Sequence, residues 1–176
     1  MGRCDRGSGC SGFSQAELLV ALAVLGLLLV LGVSSGHSSL ARMRVEAASR
    51  RLGLGLEAAR QQAQRQGQPC ALELGPAGWR EPSGGSLAGC DEVLADGDGA
   101  EESGGVELRH NLPAALRFSS NGLVLDGGTV VVSAPGTALR RCLVMSLPLG
   151  VVRLGRYEGA AGAALSSSAC VADGAV

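Results

Sequence analysis

From Leu18 to Val33 the chain reads LLVALAVLGLLLVLGV without one polar side chain, and Phe13 to Val33 makes 21 residues. As a helix that run is roughly 30 Å long, the thickness of a bilayer's hydrocarbon core, so a transmembrane helix is expected over residues 13–35. Beyond it, apolar residues recur three or four apart at Ala41, Val45, Ala48, Leu52, Leu56, Ala59 and Ala63, which predicts an amphipathic helix over residues 36–67. Arg42, Glu46, Arg50, Glu57, Arg60 and Gln64 take the other faces, with Arg42–Glu46 and Glu46–Arg50 at i,i+4. Gly67 and then Pro69 supply a stop. If the two segments join, one helix runs from about Ser14 to Gln66, roughly 80 Å. Gly53 and Gly55 each weaken it by about 1 kcal/mol against Ala. They are read as drift in a glycine-rich chain, in preference to a bend or a close contact with a sheet.

After residue 67 the period falls to two. Cys70–Leu74 alternates, and Gly75-Pro-Ala-Gly78 turns the chain into Trp79-Arg80. Residues 81–105 read as a loop of glycine, serine and acid. Strand-like pieces follow at Val106–Arg109, Leu116–Ser119, Leu123–Leu125 and Thr129–Ser133, punctuated by Asn121-Gly122 and Asp126-Gly127-Gly128. Leu139–Ser146 and Gly150–Tyr157 look like a hairpin closed by Leu147-Pro148-Leu149. Residues 159–176 are rich in Ala, Gly and Ser and are expected to be a flexible tail except near Cys170. The pattern as a whole is α+β: a long N-terminal transmembrane and amphipathic helix packed on a small antiparallel β-sheet head over residues 68–158.

Composition narrows what such a molecule does. With 46% apolar and 18% charged residues in 176, disorder throughout is excluded, and the length suits one domain plus an appendage. Net charge is −1, and every basic residue is Arg, so any attraction to nucleic acid or anionic lipid must be a local patch. Aromatic residues are 2%, which argues against a stacking platform for bases or sugars. Two histidines, no lysine, no nucleophile motif and no phosphate loop argue against an enzyme, and no catalytic residue or cofactor is expected.

The N-terminus is the informative end. Residues 1–12 (MGRCDRGSGCSG) are polar and end in Gly12. Phe13 follows, then Glu17 four residues later, then the aliphatic run. A carboxylate at the front of a spanning helix costs a few kcal/mol unless it is solvated at headgroup level or paired with a cation. The arrangement resembles the class III signal of type IV pilins and type II secretion pseudopilins. That resemblance implies that residues 1–12 are a leader cut after Gly12 by a prepilin peptidase, which then N-methylates Phe13. It further implies that Glu17 pairs with the N-terminal amine of a neighbouring subunit during assembly. The partners would be other pilin or pseudopilin subunits and inner-membrane lipid, with the head in the periplasm. A conventional secretory signal with Val33 and Ser35 before its cut is the rival, and it would release a soluble exported domain. Arg3 and Arg6 against Arg42, Arg44, Arg50 and Arg51 would place the head in the cytoplasm by the positive-inside rule, whereas cysteine usage favours export. Within the superfamily, the helix end RLGLGLEAARQQAQRQGQ, the short strand with Trp79, LRFSSNGLVL and RCLVMSLPLGVVRLGR resemble the GspH/FimT group of minor subunits. The expected function is a structural subunit that helps to assemble or prime a pilus or a secretion pseudopilus.

Other candidate chemistry follows from that frame. Cys4 and Cys10 fall in the leader, and Cys70, Cys90, Cys142 and Cys170 in the exported head, where disulfides persist. Of three connectivities, Cys70–Cys90 and Cys142–Cys170 are favoured: the first closes a loop of about 20 residues, the second ties down the tail. Without a C-x-x-C pair, zinc is the weaker reading. Seven acids between Asp91 and Glu107 read as a solvated loop, since Asp96-Gly-Asp98-Gly does not fit EF-hand spacing, and no metal is expected. If Ser146 faces Gly150, Arg140 falls opposite Arg156, and with Arg153 this makes a candidate DNA patch. Some FimT-like minor pilins bind DNA through Gly-Arg-x-Arg there. Here Gly150-Val-Val-Arg153 and Gly155-Arg156-Tyr157-Glu158 break the motif twice, so a DNA-uptake subunit stays a minority reading. His37 and His110 are expected to be exposed and inert.

Overall fold

A computed structural model describes residues 14–91, 93, 105–147 and 151–173, with backbone alone for 29–35. It divides into two compact units, Met1–His37 and Ser38–Val176, and the long helix α1 (Gln15–Gln66) contributes to each. In the first unit every described side chain from Ser14 to Leu28 is exposed, and Leu18, Leu19, Val20, Leu22, Val24, Leu25, Leu27 and Leu28 are each more than half so. Among the described residues no helix is long and apolar enough to cross a membrane. The side chains of residues 29–35 lie outside the described set, so the transmembrane reading of 13–35 rests on the sequence.

In the second unit α1 buries one stripe: Ala41, Val45, Leu52, Leu56, Ala59 and Ala63 are all nearly inaccessible, and Ala48 is half-buried. Two polar residues, Ser49 and Gln62, share that stripe. Ser49 Oγ turns back to donate to the Glu46 carbonyl at 2.9 Å, which satisfies the hydroxyl inside the helix. Gly67 ends the helix at φ +63°, the left-handed conformation that lets the chain leave without a Cβ clash.

The head holds two antiparallel sheets. The smaller has the order β2 (Gly78–Arg80), β1 (Cys70–Gly75), β4 (Leu116–Phe118). The larger has the order β3 (Glu107–His110), β5 (Gly128–Ser133), β6 (Arg141–Ser146), β7 (Val151–Tyr157), β8 (Cys170–Ala172). Leu72, Leu74, Leu116, Phe118, Val130, Val132, Leu143 and Met145 close over the α1 stripe as one core. On the other side of the larger sheet Val131, Cys142, Val144, Tyr157 and Cys170 form a second, smaller core, with Leu165 and Ala169 packed on it.

Two expectations are corrected. Leu123–Leu125 is not a strand: only Val124 makes an isolated bridge, to Phe118, because the Asn121-Gly122 turn needs Gly122 at φ +71° pressed against α1. A 3-10 turn (Ser167–Ala169) leads into β8, and the Tyr157 hydroxyl accepts from the Ser166 amide at 3.3 Å. Gly55 in α1 is not drift. A Cβ on Gly55 would stand 2.5 Å from Trp79 Cδ1, so the bare backbone is what admits the indole.

Candidate assembly interface

Gly12 and Phe13 lie outside the described residues. Glu17 occupies the third position of α1. Its Oε2 accepts from the Ser14 amide at 3.0 Å while Ser14 Oγ accepts from the Glu17 amide at 3.2 Å. This reciprocal pair is a capping box, and it satisfies two of the amides that a helix start leaves without partners. Ser14-Gln-Ala-Glu17 displays the Ser-x-x-Glu signature, so this second role was readable from sequence and was missed. Since the box uses one carboxylate oxygen, Oε1 is left for a second donor.

Among the described residues, polar contacts fasten the head to α1 at Trp79, at the Asn121-Gly122 turn and at Arg141. Trp79, carried at the centre of β2, lays its indole over Gly55 and donates from Nε1 to the Leu52 carbonyl at 2.9 Å. The Asn121-Gly122 turn takes two hydrogen bonds from the helix, Arg60 Nε to the Gly122 carbonyl at 3.2 Å and Gln64 Nε2 to the Asn121 carbonyl at 3.1 Å. Arg141 at the start of β6 reaches Glu46 of α1 at 3.0 Å and Asp173 beyond β8 at 2.7 Å. The hydrogen bond to Asp173, helped by the charges of Glu46 and Asp173, raises the guanidinium above its ordinary value. One cation thus links helix, sheet and tail. Sequence reasoning singled out its neighbour instead.

The hairpin register explains that slip. Ser146 pairs with Val151, one residue from the expected pairing, so Arg141 rather than Arg140 stands opposite Arg156. Because side chains alternate along a strand, Arg156 lies on the helix side of the sheet with Leu154, and Arg153 lies on the opposite side with Tyr157. Arg140 stacks over the Tyr157 ring at 5.5 Å, and Arg153 donates to the Ser167 carbonyl at 3.4 Å. The three residues of the candidate DNA patch are therefore divided between two faces, which does not make one track for a phosphate backbone.

Both cysteine pairs are bridged: Cys70 to Cys90, and Cys142 to Cys170. The first draws residues 88–90 alongside β1, where the Ala71 amide donates to the Ala88 carbonyl at 2.9 Å and the Cys90 amide to the Ala71 carbonyl at 3.2 Å. The second joins β6 to β8 across β7 and is buried in the small core. Among the described residues no group of three His, Cys, Asp or Glu is placed to hold a metal ion. Asp96 and Asp98 are not among those residues, and His37 and His110 are exposed.

Two further carboxylates are held ionised by close donors. Glu73 accepts from both the amide and the hydroxyl of Ser83 at 2.7 Å and from Arg80, and its pKa falls from 4.5 to about 2. Asp126 is grasped by Arg117 through two guanidinium bonds of 2.8 and 2.9 Å, which lower its pKa. Each pins a loop of the smaller sheet.

A search of the curated proteins gives no match, and neither does a search of the solved structures. A family model described as type II transport protein GspH matches residues 48–148, more than half of the chain. The matched stretch holds the buried helix stripe from Leu52 to Ala63, the Trp79 clamp, the Cys70–Cys90 bridge and the strands from β1 to β6. The chain belongs to the type II transport protein GspH family, a group of the pilin and pseudopilin superfamily.

Proposed function

We propose that the chain is a minor pseudopilin. In this reading it is anchored in the inner membrane with its head in the periplasm, is cut after Gly12 by the prepilin peptidase and is methylated at Phe13. It then enters the pseudopilus with other subunits, where it primes or caps assembly. The observation that carries the reading is the family match, on a chain whose α1 displays exposed aliphatic side chains from Leu18 to Leu28. An apolar helix in that state needs lipid or other helices around it. Glu17 would use its remaining carboxylate oxygen to pair with the amine of an adjacent chain, a charge-assisted bond that gains strength once water is excluded.

The first test is the N-terminus of the protein made in its native host, read by intact mass and peptide mapping. A chain beginning at methylated Phe13 is expected. A chain beginning near Gly36 overturns the assembly reading and leaves an exported, disulfide-bonded domain. The second test separates the two roles of Glu17. Glu17→Gln keeps the capping box, which Gln also forms, but removes the charge; Glu17→Ala removes both. Loss of incorporation in both variants is expected, and normal incorporation of Glu17→Gln would refute the charge pairing.

A further inference from the structure

On the face of the larger sheet turned away from α1, the small core stops short of the sheet's end. Residues 160–167 cross that face as a roof, held from β3 and β7. Arg109 donates to the Ala163 carbonyl at 3.0 Å, Arg153 to the Ser167 carbonyl at 3.4 Å, and the Tyr157 hydroxyl accepts from the Ser166 amide. Between this roof and the ends of β5 and β6 lies a cavity of about 440 Å³, a size typical of small-molecule sites. Val144 and Leu165 line it with apolar surface, and Asn111, Thr129, Ser146 and Ser167 with polar groups. Gly128 makes room for the Asn111 carboxamide, since a Cβ there would stand 3.2 Å from Oδ1 and 2.6 Å from Leu112 Cδ2.

Thr129 is only 1% exposed. Its backbone is satisfied by Asn111, whose Oδ1 accepts from the Thr129 amide at 2.6 Å and whose amide donates to the Thr129 carbonyl at 3.1 Å. Its hydroxyl has no hydrogen-bond partner among the described residues. None of those residues seals a buried side-chain polar atom away without a partner, so the Thr129 hydroxyl opens into the cavity it lines. A buried hydroxyl left alone costs about 1–3 kcal/mol, so water or a ligand must meet it. The Asn111 amide nitrogen and the Ser146 hydroxyl are also without protein partners among the described residues. Together these groups offer donors and acceptors without charge, since no Arg, Asp, Glu or His is among the described residues that line the cavity. An ion would find no opposite charge there to offset its lost hydration. β5 and β6 are paired on both sides, so no free strand edge is offered to a peptide. What matches hydroxyls and an amide beside an aliphatic wall is a molecule that combines many hydroxyls with C–H faces. We infer that the cavity binds an uncharged sugar unit, its hydroxyls meeting Thr129, Ser146 and Asn111 and its C–H face lying on Val144 and Leu165. Such a site does not depend on the assembly reading and gives the head a ligand of its own.

The test is nuclear magnetic resonance of the isotope-labelled full chain in a detergent without a sugar headgroup. It is titrated with glucose and N-acetylglucosamine and, in parallel, with the ions glucosamine and glucuronate. A neutral sugar is expected to shift the amides of Asn111, Thr129, Ser146 and Ser166, and the two ions at the same concentration are not. Thr129→Val keeps the shape and removes the hydroxyl, so it should weaken binding about tenfold while the unfolding midpoint stays level or rises. Ser146→Ala, exposed at the strand end, takes its place should the valine variant not fold, with a loss of the same order expected. Chitotetraose separates the two sources of such a sugar: binding tighter than that of N-acetylglucosamine marks a glycan chain, and equal binding a free sugar. Failure of both neutral sugars to shift those amides, or an equal response to the ions, overturns the site. So does full affinity in Thr129→Val, or in Ser146→Ala where it stands in.

Discussion

Replacing Gly55 by Ala sets two effects of opposite sign against each other. In an isolated helix the change stabilises by about 1 kcal/mol, because alanine loses less backbone entropy than glycine. In this protein the new methyl would lie 2.5 Å from Trp79 Cδ1, 2.9 Å from Nε1 and 3.3 Å from Val93 Cγ1. The first two distances are shorter than any carbon tolerates, so the indole must move. Its Nε1 donates to Leu52, one turn before the substituted residue, so movement also breaks that hydrogen bond. Overpacking of this kind costs about 1–3 kcal/mol, and the lost bond about 1 kcal/mol. Set against the propensity gain, Gly55→Ala is expected to destabilise by about 1–3 kcal/mol. Gly53→Ala is the control. Its nearest neighbour is 3.7 Å away, an ordinary contact, so propensity should prevail and the variant should gain up to about 1 kcal/mol. The assay is guanidinium unfolding of the full chain in detergent, followed by fluorescence of Trp79, the one tryptophan in the sequence. In Gly55→Ala the native emission should also shift to the red as the ring leaves the helix. Equal stabilisation by the two substitutions would refute the clamp and restore the reading of Gly55 as drift.

Other expectations follow from the same geometry. Because the fold lowers the Glu73 pKa from 4.5 to about 2, its contribution is complete above pH 4.5 and is lost as pH falls towards 2. The unfolding midpoint of the wild type should therefore drop more steeply through that window than that of Glu73→Gln. Asp126 titrates in the same direction in both proteins, so the difference between the two curves isolates Glu73. Replacing Cys142 and Cys170 by Ser opens a loop with a sequence separation of 28. It should cost about 3–4 kcal/mol, with hydrogen exchange of residues 158–173 rising before that of β5 and β6. Gly155→Ala should release β8 with the disulfide intact, since its Cβ would stand 2.1 Å from the Val171 carbonyl. Faster exchange of the amides that pair β8 with β7 would report it, and unchanged exchange would refute that close approach.

What the sequence disclosed and what it withheld divide along the range of the interactions involved. The α1 stripe was readable because a helix repeats its buried face every three or four residues, and Ala41, Val45, Leu52, Leu56, Ala59 and Ala63 keep that period without help from elsewhere. β8 was not readable. Three residues display no period, and what holds them is the Cys142 sulfur, the Arg141 guanidinium and the bare backbone of Gly155, all distant in sequence. Gly55 failed for the same reason, since its meaning is a tryptophan 24 residues away. The register of the hairpin shows how much one such residue matters. A pairing set by Ser146 and Gly150 gathers Arg140 and Arg156 into an anion-binding patch. The pairing of Ser146 with Val151 instead brings Arg141 to Glu46 and divides Arg153 from Arg156. A one-residue slip thus converts a surface suited to nucleic acid into a brace between helix and sheet. On the assembly reading proposed above, the brace would keep the head fixed to its helix while the helix is packed among others.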